Sequence, residues 1–175
     1  MSTLELKELS APAGEVIKIA AGKTLDLKSQ GSVTMPTGSV LQVVYVGSDS
    51  SSAVSTTSTS LVASGIQLNI TPKQTGSNLH IEWVSPMSYI PSGNYLKAQM
   101  FKNGVALGSY NYSMLHQSAE GNNFYGTTAY SMVYTAGAAG TSILFEPWFL
   151  SHNGANVRLL HGDSSYLFKV TEVSV

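Results

Sequence analysis

The sequence contains no cysteine, so neither disulfide bridges nor thiolate metal sites can hold it together. Stability has to come from packing and association. Charge is scarce as well: 11% of residues are charged, against about 25% in an ordinary globular domain. The nine basic and ten acidic residues nearly cancel, which excludes the basic stripe that a phosphate backbone demands, and no nucleic-acid partner is expected. No apolar run approaches the roughly 18 residues that span a bilayer. The opening Met1-Ser2-Thr3-Leu4-Glu5-Leu6-Lys7 has neither the basic start nor the apolar stretch of a signal peptide. The sequence therefore predicts a soluble chain made in a cytoplasm, without membrane insertion, whose sequons at Asn69 and Asn111 are chance matches. What fills the space left by charge is Ser, Thr, Asn and Gly, a surface suited to tight oligomeric packing or to polar ligands.

An eight-residue beat runs through the N-terminal region. Apolar pairs flank a single polar residue at Ile17/Ile19, Leu25/Leu27, Val33/Met35 and Leu41/Val43, and glycines at 14, 22, 31 and 38 keep nearly the same time. Side chains alternate across a strand, so an i, i+2 pair marks one face and an even repeat returns each pair to that face. Repeats this short cannot each own a core and must stack. Two readings fit. One is a plain β-meander with a Gly turn every eight residues. The other is an intertwined shaft in which three copies each supply one side of every layer, with Ile17, Ile19, Leu25, Leu27, Val33 and Met35 meeting around a threefold axis.

Beyond the beat, Val40 to Val46 reads as a well-buried strand that begins a second unit. The domain division expected is 1–39 for the repeat and 40–175 for the rest. Ser48 to Ser60 is Ser/Thr-rich, either a linker or a loop leading into an edge strand. Alternation resumes at Ile66/Leu68/Ile70 and at Leu79/Ile81/Trp83, with His80 on the opposite face. Asn103-Gly104 is the strongest short hairpin signal in the chain, because both central positions of a type I′ turn need positive φ. Its return strand is Val105 to Leu107. Further strands are expected at 109–115, 128–135, 142–149, 156–160 and 166–175, with Gly137-Ala138-Ala139-Gly140 as a turn. Short strands at this spacing predict an antiparallel sandwich or jelly roll. Trp83 and Trp148, both within apolar runs, are expected in its core.

Several segments together resemble a known group. They are Thr3-Leu4-Glu5-Leu6-Lys7, the Ile17-Lys18-Ile19 and Leu25-Asp26-Leu27 steps, the join Pro36 to Val44, Thr56 to Ser60, Gly65 to Pro72 and Ser77 to Ile81. The pattern resembles small fibre and other structural proteins of tailed bacteriophages, of the kind abundant among marine phages. The resemblance implies a β-repeat shaft leading into a C-terminal β-sandwich head, a homotrimer, a virion location, and contact with other virion proteins through the N-terminal segment. It implies a non-enzymatic fibre contributing to host attachment; a capsid or neck decoration protein and a glycan-depolymerase head are the alternatives.

Chemistry-bearing residues are thinly spread. His80, His116, His152 and His161 show no i, i+2 or i, i+4 pairing, so no metal site and no cofactor is expected. No Gly-x-Ser-x-Gly elbow surrounds any serine. Glu82, Glu120, Glu146, Asp163 and Glu172 could contain a glycosidase-like pair only at a separation that sequence does not give; the expectation is no catalytic residue. Binding has better material. Tyr110, Tyr112, Asn122, Asn123 and Tyr125 place rings and amides in neighbouring segments, and Asn153 sits in a second turn. Tyrosine at period two is equally an ordinary core or interface residue, so these six are ligand-binding candidates for a host-surface glycan or protein.

Overall fold

The structure is a computed structural model and describes residues 21–23, 35–48, 53–108, 115–119, 121–162 and 165–175. The chain divides into two compact units, Met1–Thr34 and Met35–Val175. In the first, residues 21 and 22 form a turn with Gly22 at φ 73°. Ile17, Ile19, Leu25, Leu27 and Val33, the proposed shaft residues, lie outside the described residues, while Met35 is 44% exposed at the start of the second unit.

The second unit is all β, with no helix among the described residues. Its strands are β1 (Val40–Ser48), β2 (Val54–Thr56), β3 (Val62–Ala63), β4 (Leu68–Ile70), β5 (Asn78–Ile90), β6 (Asn94–Lys102), β7 (Val105–Ala106), β8 (Leu115–Ala119), β9 (Phe124–Thr135), β10 (Ile143–Ser151), β11 (Val157–Leu159) and β12 (Tyr166–Val173). All pairings are antiparallel.

Shared partners fix the order. Ile81 of β5 lies opposite both Val170 of β12 and Met132 of β9, which must therefore flank β5 on opposite edges. With β1 beside β12, the first sheet runs β1-β12-β5-β9, and β11 and β2 extend it beyond the end of β12. By the same logic Phe145 of β10 faces Leu68 and Lys102, and Ala98 of β6 faces Phe149 and Leu115. The second sheet is β4-β10-β6-β8, with the short β3 and β7 continuing its outer strands. No two neighbours in these two rows are consecutive in the chain, and the order is that of a two-sheet jelly roll.

Parity explains what lies between the sheets. Leu79, Ile81 and Trp83 of β5, Phe168 and Val170 of β12, Leu96 and Met100 of β6, and Phe145 and Phe149 of β10 are all fully buried. Each such side chain contributes about 1.5–3 kcal/mol by leaving water. His80 stands on the opposite, exposed face of β5, as its parity predicts. The Asn103-Gly104 turn forms with φ of 49° and 77°, and β7 is its return strand. The described part of the Ser/Thr-rich stretch contains the edge strand β2 at residues 54–56, paired to β11. Its hydroxyls cap local backbone: Thr56 Oγ1 accepts the Ser58 N–H, and Ser58 Oγ accepts that of Ser60.

Trp148 departs from expectation. It is only half-buried on the outer side of the second sheet, where its ring stacks on Phe101 at 4.1 Å and 11°. The run from Ile143 to Leu150 is almost continuously apolar, so alternation could not say which face Trp148 takes. Both faces of β10 are covered.

A buried carboxylate ties the start and end of this unit together. Glu172 accepts hydrogen bonds from Ser77 Oγ at 2.7 Å, from the Lys73 and Gln74 N–H groups at 2.9–3.0 Å, and from Gln42 Nε2 at 2.5 Å. Burial alone would raise its pKa, but the hydrogen bonds from Ser77, Gln42, Lys73 and Gln74 together hold it below the usual glutamate value. Just past this same end of β12, Ser174 Oγ donates to Pro36 O and accepts the Ser39 N–H, so residues 36–39 are pinned beside Ser174.

Candidate functional site

Two features of the jelly roll are not explained by packing alone. The first is the outer face of β1-β12-β5-β9. Tyr45 is 72% exposed, Val133 53%, Val43 49% and Leu167 44%. Strand alternation aims these side chains away from the core, and no described segment lies over them. Two shallow depressions of about 610 and 530 Å³ share Val84 and Leu167 on this face; the first is completed by Tyr45, Pro86 and Tyr166, the second by Ala129 and Ser131. Its one ion pair among the described residues, Lys169 with Glu82, joins adjacent strands β12 and β5 and leaves the surface locally neutral.

The second feature is the end of the sandwich where β5 finishes and β6 and β9 begin. Tyr125 lies directly opposite Tyr89, and Arg158 of β11 lies opposite Tyr89 on its other side. Tyr89, Tyr125 and His161 lean on one another with ring centroids 5.1–5.4 Å apart and interplanar angles of 33–44°. The Arg158 guanidinium carbon stands 5.7 Å from the Tyr89 ring centre. Tyr125 is 54% exposed.

Holding this cluster costs energy in two places. Leu160 adopts φ 55°, a left-handed conformation that an L side chain with a Cβ disfavours by about 1–2 kcal/mol. The turn is enforced by the Leu160 N–H bond to Ser85 Oγ and the His161 N–H bond to Met87 O. His161 Nδ1 is buried with no hydrogen-bond partner, a penalty of about 1–3 kcal/mol.

The asparagines surround the turn between β5 and β6. Asn123 Oδ1 accepts the Ser92 N–H at 3.1 Å. Asn153 Nδ2 donates to Gly93 O at 2.9 Å, its Oδ1 accepts the Ala155 N–H, and its own N–H donates to Asn94 Oδ1. Asn94, fully buried, donates to Ser151 Oγ and Ala155 O and so fixes the whole corner. Asn122 is exposed beside them. Beyond the corner, Tyr95 meets His152 edge-on at 5.0 Å.

Four of the six predicted binding residues thus share one end of the sandwich: Tyr125 and Asn122 with side chains exposed, Asn123 and Asn153 hydrogen-bonded to the turn. Tyr110 and Tyr112 lie outside the described residues. Tyr130 and Tyr134 belong to the opposite face of β9 from Tyr125, because they differ from it by an odd number of positions. Tyr130 is pushed up to about 12 by burial, and Tyr134 packs edge-on against Phe145 with Lys102 Nζ 2.9 Å from its hydroxyl. Sequence reasoning missed Tyr89, Arg158 and His161. Each comes from a different strand or turn, and only the pairing of β5 with β9 and β11 brings them together.

The described carboxylates do not form a facing pair. Glu82 is on the outer face of the first sheet, and Glu146 on the outer face of the second, with both layers between them. Glu146 instead accepts the Gly65 N–H at 2.9 Å and Trp148 Nε1–H at 3.2 Å. Among the described residues no three His, Asp or Glu side chains are grouped to hold a metal ion, and no helix is long and apolar enough to cross a membrane.

Fold and surface together define a jelly-roll β-sandwich with one bare sheet face and an aromatic corner. No protein-family model matches the chain, and no curated protein matches it by sequence.

Proposed function

We propose that this chain is a non-enzymatic structural protein of a phage virion, a homotrimeric fibre whose jelly-roll head contributes to host-surface attachment and whose N-terminal repeat joins it to other virion proteins. The observation that carries the reading is the bare outer face of β1-β12-β5-β9, where Val43, Tyr45, Val84 and Leu167 stay in contact with water in a single copy. A chain without disulfides and with few charges gains most from covering such a face with further copies of itself. The resemblance of the N-terminal beat and the Pro36 to Val44 join to phage fibre proteins supplies the virion setting.

In this reading three copies meet through the bare face, the 1–39 repeat intertwines, and the β5–β6 corner is left at the surface. The test combines molar mass with the repeat. Wild-type protein should elute as a heat-resistant trimer, and Leu25→Asp or Leu27→Asp should abolish that resistance by burying unpaired charge at each layer. A trimer equally heat-resistant in both variants would contradict the shaft. Particles lacking the protein should adsorb poorly to host cells; unaltered adsorption would move the protein from attachment to decoration of the particle.

A further inference from the structure

We propose that Tyr89, Tyr125, His161 and Arg158 form a binding site for a carboxylated saccharide. This rests on the attachment reading above and names the ligand class for it.

The geometry carries the assignment. The faces of sugar rings present patches of C–H groups that pack on exposed aromatic rings, and Tyr125 offers such a ring, more than half exposed and braced from two sides by Tyr89 and His161. Bracing matters because a ring already held in place loses little freedom when a ligand lands on it. Arg158 adds a fixed planar donor. Its guanidinium is positioned over Tyr89, and no carboxylate among the described residues pairs with it. Guanidinium groups bind carboxylates through two parallel N–H···O bonds, which selects for an acidic group on the saccharide.

A second, independent observation points the same way. The chain adopts a left-handed backbone at Leu160 and leaves His161 Nδ1 without a hydrogen-bond partner, with the imidazole held 5.4 Å from both tyrosine rings. Strain of this kind collects where a surface must be held in one shape for a ligand. The site lies beyond the register shift between Ser85 and Ser88 of β5, past the depressions around Val84 and Leu167. Tyr125 is on the same outward side of β9 as Ala129, Ser131 and Val133, so the site requires the trimer contact to be confined to the part of that face around Val43, Tyr45 and Leu167.

The experiment is titration of the full-length protein with trigalacturonate, a hyaluronan tetrasaccharide and a mannuronate trimer, read by calorimetry, with maltotriose and chitotriose as neutral controls. At least one acidic saccharide should bind saturably and at least tenfold more tightly than either neutral one. Tyr125→Ala and Arg158→Gln should each weaken that binding at least tenfold, while Arg158→Lys should fall between. Tyr125 is exposed, so its variant is expected to keep the wild-type melting temperature, and Tyr125→Phe should retain binding. Absence of binding by all three acidic saccharides overturns the proposal, as does binding that survives both substitutions. Equal or tighter binding of a polyglutamate peptide would also overturn it, in favour of an acidic protein partner. Molar mass recorded on the same samples separates this result from the trimer: a monomer that binds refutes the assembly and keeps the site, and a trimer that does not bind refutes the site alone.

Discussion

The two sheets of the jelly roll are built from the same alternating pattern and treat their outer faces in opposite ways. On the second sheet the outward residues Gln99, Glu146 and Leu150 are 3%, 7% and 2% exposed. Gln99 donates to the carbonyls of Leu107 and Gly108, and Glu146 holds the backbone of Gly65. The loops before β4 and after β7 have folded back to cover this face with satisfied hydrogen bonds. On the first sheet the corresponding positions, Val43, Tyr45, Leu167 and Val133, are 44–72% exposed and carry no such cover. Alternation therefore says which residues leave the core and does not say what meets them. On one side the chain itself meets them; on the other, in our reading, further copies do.

Breaking the covered side should cost the fold most. Leu150→Asp places a charge at a nearly fully buried position on the outer side of the second sheet, and the expected loss is about 4 kcal/mol or more, measured by urea unfolding. Glu172→Ala follows, with an expected loss of about 3 kcal/mol, because the donors of Ser77, Lys73, Gln74 and Gln42 lose a shared charged acceptor. This contribution has a definite pH dependence. The folded pKa of Glu172 is depressed, so the unfolded chain binds its proton first on acidification. The stabilisation is complete above the unfolded value of about 4.3 and disappears as pH falls through the lower folded value. Wild type should therefore lose more stability than Glu172→Gln between pH 6 and pH 2, and parallel losses would remove Glu172 from the account.

Glu146→Ala should cost about 2 kcal/mol, since it strands the Gly65 N–H and Trp148 Nε1–H under the covering loop. On the bare face the expectation reverses. Leu167→Asp should change the unfolding free energy of the isolated copy by no more than about 0.5 kcal/mol, while removing association. A large loss of stability in a monomeric Leu167→Asp protein would show that the two faces do not differ as described.

Much of the fold was legible in the residues. Leu79/Ile81/Trp83 announced a buried strand face, His80 its opposite, and Asn103-Gly104 a hairpin, because each rests on a local rule of period or of φ. Trp148 was illegible since β10 is apolar on both sides, and a strand covered twice shows no alternation. Of the binding corner, Tyr125, Asn122, Asn123 and Asn153 stood out as rings and amides in turn-rich segments. Tyr89, Arg158 and His161 did not, because their meeting depends on the register of β5 with β9 and β11 and on the turn at Leu160. The hydrogen bonds that commit Asn123 and Asn153 to the 91–93 turn are likewise a product of long-range pairing, which composition does not encode.

The measurement that bears most directly on the difference between the two faces is the molar mass of the wild-type chain and of Leu167→Asp by light scattering on a sizing column. The account predicts a wild-type mass three times the 18.5 kDa of one copy and a variant that elutes folded at the mass of a single copy. A wild-type monomer, or a Leu167→Asp protein that remains fully trimeric, would contradict it.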